Sequence, residues 1–315
     1  MLIKSLLRRA SPQGAGTRLS VLIFHRVLPQ VDALFPEEVD ARRFNQICEW
    51  MKQWFNVLPL DAAVAHLRSG TLPERAACIT FDDGYADNFH VALPILKTHG
   101  LTSTFFIATG FLDGGRMWND TIIESVRACK LPQLDLQAIG LGVHKVASVA
   151  DKKVAISALI GQIKYRSVED RVTTMLAIAA QAQVQPPDDL MMTSNEVKLM
   201  RQAGMQIGAH TVNHPILARL SGPEACREIL ESRSTLERIL GERVGLFAYP
   251  NGKPDEDYTP DTVALVRDLG FDAAVSTRWG VSGTDTDLFQ LRRFTPWDRN
   301  KLRFSMRMMA NIWTK

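Results

Sequence analysis

Two adjacent carboxylates, Asp82 and Asp83, occur in the segment Thr80-Phe81-Asp82-Asp83-Gly84-Tyr85, at the end of an apolar run. Successive side chains at a strand end point in different directions, so one carboxylate can bind a cation while the other stays free to accept a proton. Gly84 permits a tight turn into the next helix. Taken alone, however, an Asp-Asp-Gly segment is more typical of a solvated turn that caps a helix.

Two histidines four residues apart, His210 and His214, lie in the segment His210-Thr211-Val212-Asn213-His214-Pro215. Histidines at this spacing can reach one metal from a helical turn or from a compact loop after a strand. Pro215 disfavours helical geometry at His214, so a loop is expected. Two imidazoles and one carboxylate would leave open positions for water and substrate, as a catalytic zinc site requires. Zinc is the expected metal, and cobalt or nickel would fit the same donors.

Short β-rich runs alternate with longer amphipathic stretches through most of the chain. The runs cover 19–24, 77–81, 103–108, 205–209, 244–248 and 273–275, and the helix-like stretches cover 41–55, 85–99, 195–203, 223–240 and 260–269. Such an alternation predicts a parallel sheet with helices outside it.

The polar groups follow these runs at consistent places. His25 follows the first run, Asp82 and Asp83 follow the second, His210 follows the fourth, and Tyr249-Pro250-Asn251-Gly252 follows the fifth. In an α/β barrel the carboxyl ends of the strands face one mouth, where the active site lies. Groups that are distant in sequence are therefore expected to converge on one site.

Residues from about 114 to 187 interrupt the strand–helix alternation. This stretch is helix-like with loops, and it is interpreted as a helical insertion on one strand-to-helix loop, with a small second domain as the alternative. The predicted organisation is an N-terminal segment at 1–18, one domain at 19–299 that carries the insertion, and a C-terminal tail at 300–315.

Three segments together resemble the motifs of NodB-type polysaccharide deacetylases, carbohydrate esterase family 4. Thr80–Tyr85 resembles the first motif, His210–Pro215 the second and Phe247–Gly252 the third. The resemblance covers about 19–297, less the insertion. It implies a distorted (β/α) barrel, usually of seven strands, that hydrolyses the N-acetyl group of an amino sugar.

The resemblance also implies roles for individual residues. Asp82 would be the general base, and Asp83, His210 and His214 would bind a divalent metal. The backbone N–H of Asn251 would stabilise the oxyanion, at a position where the family often has Tyr. A metal agrees with this chemistry, because it lowers the pKa of bound water to about 7 and polarises a carbonyl.

The family's usual late histidine, the general acid, is missing, because no histidine follows His214. Poly-N-acetylglucosamine deacetylases place this residue before the first motif, and Ile23-Phe24-His25-Arg26-Val27 resembles that arrangement. His25 is therefore assigned as the acid, since a pKa near 6.5 suits proton donation at neutral pH. A buried histidine bonded to a neighbouring loop is the alternative.

Arginine and tryptophan side chains near the motifs have less specific interpretations. Arg293 could orient and ionise Asp82 through a charge-assisted pair, Arg26 could do the same, and a salt bridge that only closes the barrel competes equally. Trp118 and Trp297 could stack on a sugar ring, although core packing is the more frequent role of each. The remaining histidines, His66, His90, His99 and His144, are interpreted as structural or solvated.

Composition limits the other classes of function. The net charge is only +3 and the basic residues are scattered, which does not favour a nucleic-acid groove. The four cysteines are interpreted as small core residues, which fits a reducing compartment. With no signal-peptide pattern and no apolar run of about 20 residues, a cytoplasmic protein is expected. The tail at 300–315 could contact a membrane surface, although a closing helix is favoured.

Two other functions remain open from sequence. One is hydrolysis of a small nitrogenous amide, as in allantoinase-like relatives. The other is a catalytically inactive carbohydrate-binding protein, which the free base Asp82 argues against. The expected substrate is an N-acetylated glycan or glycan precursor, and nothing in the sequence indicates the oligomeric state.

Overall fold

The computed structural model describes residues 2–14 and 16–313 of the 315-residue chain. Its strands are β1 Ser20–Phe24, β2 Asn56–Val57, β3 Ala76–Phe81, β4 Thr104–Ile107, β5 Gln133–Asp135, β6 Val143–Lys145, β7 Gln206–Ala209, β8 Leu246–Ala248, β9 Ala273–Trp279 and β10 Leu291–Arg293. Its α-helices are α1 Leu2–Ala10, α2 Ala41–Trp54, α3 Leu60–Ser69, α4 Leu93–His99, α5 Trp118–Ala128, α6 Val149–Ile163, α7 Val168–Gln181, α8 Ser194–Gln202, α9 Gly222–Leu240, α10 Pro260–Asp268 and α11 Lys301–Trp313.

Seven strands of the described residues form a continuous parallel path in the order β1-β3-β4-β7-β8-β9-β10, and β2 pairs with β3 beside it. The path nearly closes on itself, because Phe294, directly after β10, exchanges backbone hydrogen bonds with Val21 and Ile23 of β1. The prediction of a distorted (β/α) barrel of about seven strands is therefore confirmed.

The barrel strands are apolar on both faces, as strands enclosed by helices must be. β1, β3 and β4 are buried along their whole length. Between the strands and the outer helices, Phe81 stacks on Phe105 with ring centroids 4.7 Å apart, and it also stacks on Phe24 at 5.3 Å. Such rings each bury a large apolar surface, so they fix the strand ends whose next residues carry the polar groups.

The sequence-based expectation missed β2, β10 and α3. The expected β-rich runs did not include β10, whose three residues are too short to show a strand pattern, although this strand closes the barrel. α3 was also missed, since its apolar residues alternate with small alanines. All four cysteines are free, and three of them are buried, as expected for small core residues.

The interrupting stretch contains α5, the antiparallel hairpin β5–β6, α6 and α7, and it lies between β4 and α8. It has an apolar cluster of its own, which includes Ile122, Leu134, Leu159 and Ile178 and is separate from the cluster between the barrel strands and the outer helices. The boundaries assigned from sequence, at 1–18, 19–299 and 300–315, remain a proposal.

The C-terminal helix α11 packs Phe304 against Trp50 and Trp54 of α2, with centroids 5.3 and 6.2 Å away, and it also contacts α1. Its opposite face exposes Leu302, Met306 and Trp313. Thr314 and Lys315 of the predicted tail, like Met1 and Ala15 of the N-terminal segment, lie outside the described residues. In the part of the chain that is described, no helix is long and apolar enough to span a bilayer.

Candidate active site

Asp83, His210 and His214 meet at the mouth of the barrel. The Nε2 atoms of both histidines lie 3.4 Å from Oδ1 of Asp83. The donor atoms of the three residues lie within 4.8 Å of one another. Asp83 and His210 are buried, and the His214 side chain is 12% exposed. The structure therefore brings together the three residues that the sequence motifs suggest as metal ligands.

Tight turns place these donors. Asp83 follows β3 with a φ of 74°, and Gly84 follows with a φ of 93°. The segment after β7 is a loop, as Pro215 predicts, and both Thr211 and His214 adopt positive φ angles of 65° and 50°. Positive φ costs a non-glycine residue about 1–2 kcal/mol, so surrounding contacts must hold these turns in place.

Glu228 on α9 supplies such contacts to the histidine loop. Its Oε2 accepts hydrogen bonds from the backbone N–H groups of Val212 and Asn213, both at 2.9 Å, and its Oε1 accepts one from the Asn213 amide at 2.7 Å. Sequence reasoning missed Glu228, because a glutamate on an amphipathic helix is usually solvated. It is a positioning residue for His214.

The donor set fits a divalent cation. Oδ1 of Asp83 is buried without a hydrogen-bond partner among the described residues, as expected of an atom reserved for a ligand. Nδ1 of His210 lies 2.8 Å from the carbonyl oxygen of Ala248. This contact fixes the tautomer with Nδ1 protonated and leaves the Nε2 lone pair facing Asp83, an arrangement typical of metal-binding histidines.

The pKa shifts of Asp83 and His214 agree with their assignment as metal ligands. Burial lowers the pKa of His214 to about 4, so its imidazole is neutral at pH 7, as a metal ligand must be. Burial also disfavours the charged forms of Asp83 and His210, but their proximity outweighs it. As a result the pKa of Asp83 lies below and that of His210 above its ordinary value.

Asp82 forms a bidentate ion pair with Arg293. Nη1 and Nη2 of Arg293 each lie 2.7 Å from one carboxylate oxygen, and the two side chains are 0% and 3% exposed. Arg293 is itself anchored by donating from Nε to the carbonyl oxygen of Ser276 at 2.8 Å. Burial would raise the pKa of Asp82, but the charge of Arg293 outweighs it and holds the carboxyl ionised.

Arg26 does not pair with Asp82, so that alternative is wrong. Its Nε lies 2.7 Å from Asp87, whose other oxygen accepts from the Val27 N–H, and its guanidinium lies 4.6 Å from the Tyr85 ring centroid. Tyr85 in turn lies close to Asp120, whose pKa burial raises to about 7. These groups form a buried polar cluster beside Asp83 that the sequence did not indicate.

His25 lies directly after β1 and lines the same cavity of about 280 Å³ as Asp82, Asp83, His210 and His214. Its side chain is exposed, which contradicts the alternative of a buried histidine bonded to a neighbouring loop. An exposed imidazole at this position is accessible to a substrate in the cavity.

Asn251 lines the cavity from the loop after β8, in a left-handed conformation with a φ of 59°. Its N–H has no acceptor within the residues described, so it is available as a donor. Thr277 fixes the turn by donating from Oγ1 to the Asn251 carbonyl oxygen at 2.8 Å. A Cβ at Gly252 would lie 3.0 Å from the Thr277 nitrogen, so glycine is needed there.

The insertion supplies a further wall of the cavity. Five of its residues line the cavity: Met117, Trp118, Asn119, Ile160 and Lys164. We call these five residues the insertion wall, and we call Asp82, Asp83, His210 and His214 the ligand wall. Sequence reasoning singled out Trp118 but missed the others, since nothing in a helical pattern indicates which side chains border a distant barrel.

The two tryptophans differ in environment. Trp118 is largely buried, as core packing predicts, although it borders the cavity. Trp297 is 68% exposed, so the interpretation of it as a core residue is wrong. It lines a neighbouring groove that also includes His25, Arg43 and Arg299.

Comparison with known proteins agrees with this geometry. A family model for polysaccharide deacetylases matches residues 69–132 and 165–274, and the gap between the two segments falls within the insertion. YxkH of Bacillus subtilis (strain 168), named as a polysaccharide deacetylase, is 19% identical over 278 residues, which is 88% of this chain and 70% of YxkH.

Solved structures show the same fold. The deacetylase PplD of Streptococcus pyogenes, solved in complex with acetate, has a TM-score of 0.63 at 20% identity, covering 93% of this chain and 98% of PplD. IcaB of Ammonifex degensii has a TM-score of 0.61 at 20% identity, covering 96% and 99%. Since the family model matches more than half of the 315 residues and all three motifs, the chain belongs to the polysaccharide deacetylase family, which hydrolyses carbon–nitrogen bonds other than peptide bonds.

Proposed function

We propose that this chain is a divalent-metal-dependent deacetylase that removes N-acetyl groups from an amino-sugar glycan or glycan precursor. The observation that carries the proposal is the ligand wall, where three metal-ligand donors adjoin a separate, ionised carboxylate. A protein that only bound carbohydrate would not need a buried carboxylate held ionised beside a cation site.

Asp83, His210 and His214 would hold the cation, and zinc, cobalt and nickel suit one oxygen and two imidazole donors. When bound, such a cation polarises the acetyl carbonyl and makes water more acidic. The family is metal-dependent, and which metal serves this chain is part of the proposal. Because Asp83 supplies a donor, Asp82 beside it is left for proton transfer.

Asp82, Asn251 and His25 each carry out one of the remaining steps of the hydrolysis. Asp82 accepts a proton from the attacking water, using a lone pair that its contacts with Arg293 leave free. Asn251 donates its N–H to the developing oxyanion, as preorganised backbone donors do in acyl transfer. His25 donates a proton to the sugar nitrogen as the carbon–nitrogen bond breaks, so that acetate and a free amine are the products.

The test combines metal analysis with acetate release from N-acetylglucosamine oligomers. We expect one divalent ion per chain and acetate release that requires it. Asp82→Asn should retain the metal and lose activity by about 10²–10⁴-fold, because the neutral amide cannot accept the proton. Full activity of Asp82→Asn, or acetate release from metal-free protein, would refute the proposal.

A further inference from the structure

A second cavity, of about 610 Å³, lies next to the active site between the start of α7 and the region 213–231. Five basic side chains line it: Lys164, Arg166, Arg171, Arg219 and Arg227. We call it the cationic cleft. It adjoins the catalytic cavity directly, because Lys164 lines both, and because Asn213 and Pro215, which flank His214, line the cleft.

None of these five cations forms an ion pair with any residue that the structure describes. Arg166 bonds the Thr174 hydroxyl, while Lys164 and Arg219 lie 5.6 and 5.1 Å from the Tyr165 ring centroid. Unpaired like charges that share a cavity repel one another, and a bound anion would remove that cost.

Arg171 is the most informative of the five. It is only 5% exposed, its Nε is buried without a hydrogen-bond partner, and its guanidinium lies 5.3 Å from the Trp118 ring centroid. Burial lowers its pKa, and the charges of Glu228 and Glu169 offset only part of that effect. A largely buried guanidinium with an unsatisfied Nε–H is unfavourable in a folded protein unless a ligand accepts from it.

The four carboxylates that also line the cleft do not neutralise it. Glu224 accepts from the backbone N–H and the hydroxyl of Ser221 at the start of α9. Glu228 is committed to Val212 and Asn213. Both carboxylates keep their charge but bond neutral donors, and five basic against four acidic side chains leave the cleft a formal surplus of one positive charge.

We propose that the cationic cleft binds an anionic group, a carboxylate or a phosphate, on the same glycan whose N-acetyl group enters the catalytic cavity. The identity of the carrier rests on the proposed function, whereas binding of the anion does not. Guanidinium groups suit both ligands, because their planar donors match carboxylate and phosphate oxygens. The substrate would then be an acidic rather than a neutral glycan.

The test uses three hexose probes that differ in one group: glucuronate, glucose 6-phosphate and glucose. Calorimetric titration of the metal-loaded chain should show binding of one or both anions and no binding of glucose, and the preferred anion identifies the source. Arg219→Gln/Arg227→Gln should weaken that binding by about tenfold or more, since two charged contacts are lost. Arg303→Gln, on the exposed face of α11, is the matched control.

Both substituted arginines are exposed, so the double variant should fold, and thermal unfolding checks this. Arg227→Gln alone is the second variant. No anion binding at millimolar concentration, or equal affinity in the parent chain and the double variant, would overturn the inference. Anion binding without acetate release from any N-acetylated oligomer would contradict the proposed function alone, and acetate release without anion binding would contradict the cleft alone.

Discussion

On the ligand wall of the catalytic cavity each side chain is buried or nearly so and faces a charged or metal-binding neighbour, whereas Asn119, Ile160 and Lys164 of the insertion wall are half-buried. The ligand wall follows strands of the barrel, and the insertion wall comes from helices with a separate apolar cluster. The difference suggests that chemistry and stability are coupled on one wall, and that substrate selection can vary on the other.

Removing a metal ligand should have the largest effect and tests the ligand wall directly. His210→Ala should lose the divalent ion and all measurable acetate release, because two donors cannot hold the cation as three do. Metal content by mass spectrometry and acetate release are the measurements. His66→Ala, which removes an imidazole that bonds the Thr71 hydroxyl away from the site, is the control. Retention of metal by His210→Ala would show that the cation lies elsewhere.

His25→Ala should separate chemistry from stability, because this exposed residue is neither a ligand nor part of the core. We expect acetate release to fall by about 10²–10⁴-fold, as loss of a general acid would cause. Metal content and the unfolding midpoint should match those of the parent chain, with His90→Ala as the control at another exposed histidine. Unchanged turnover would assign the acid to another group.

Arg293→Met should show the coupling within the ligand wall. Removing one partner of a buried ion pair costs about 3–5 kcal/mol of unfolding free energy, because the other charge is left uncompensated. Chemical denaturation measures this loss. Asp82→Asn/Arg293→Met should recover much of it, since both charges are then gone, yet it should stay inactive. A single variant as stable as the parent would mean that the pair does not support the fold.

Glu228→Gln should give the smallest of these effects, because it weakens the support of the ligand wall and leaves the donors in place. The neutral amide keeps the shape but loses charge-assisted bonds to Val212 and Asn213. We expect metal affinity to fall by about 10–100-fold, as is typical when outer partners of ligands are changed. Glu231→Gln, on the same helix, is the control, and equal metal affinity in the two variants would contradict the role.

Much of the fold and of the ligand wall could be predicted from sequence, because short motifs at strand ends carry their own geometry. Asp82 and Asp83 directly follow β3 and His210 directly follows β7, so the strand pattern alone brings them to one mouth. Left-handed turns at Asp83 and His214 could not be predicted, since neither residue type requires them.

The features of the site that could not be predicted depend on contacts between side chains far apart in sequence. The pairing of Asp82 with Arg293 spans 211 residues, and Arg26 instead meets Asp87, a choice set by barrel closure and not by residue type. Lys164 reaches the cavity only because α6 ends beside the barrel mouth. Helical periodicity shows which side of such a helix is apolar, but it does not show which part of the protein a polar residue at the end of the helix, such as Lys164, contacts.

The closing contact between β10 and β1 also bears on the order of events during synthesis. Domains emerge and fold from the N-terminal side, so Asp82 is made long before its counter-ion on β10. Until that last strand docks, the carboxylate lacks the guanidinium that does most to hold it ionised. We therefore expect hydrolytic competence to arise in one step with barrel closure, and a nascent chain that ends before Arg293 to lack a working base.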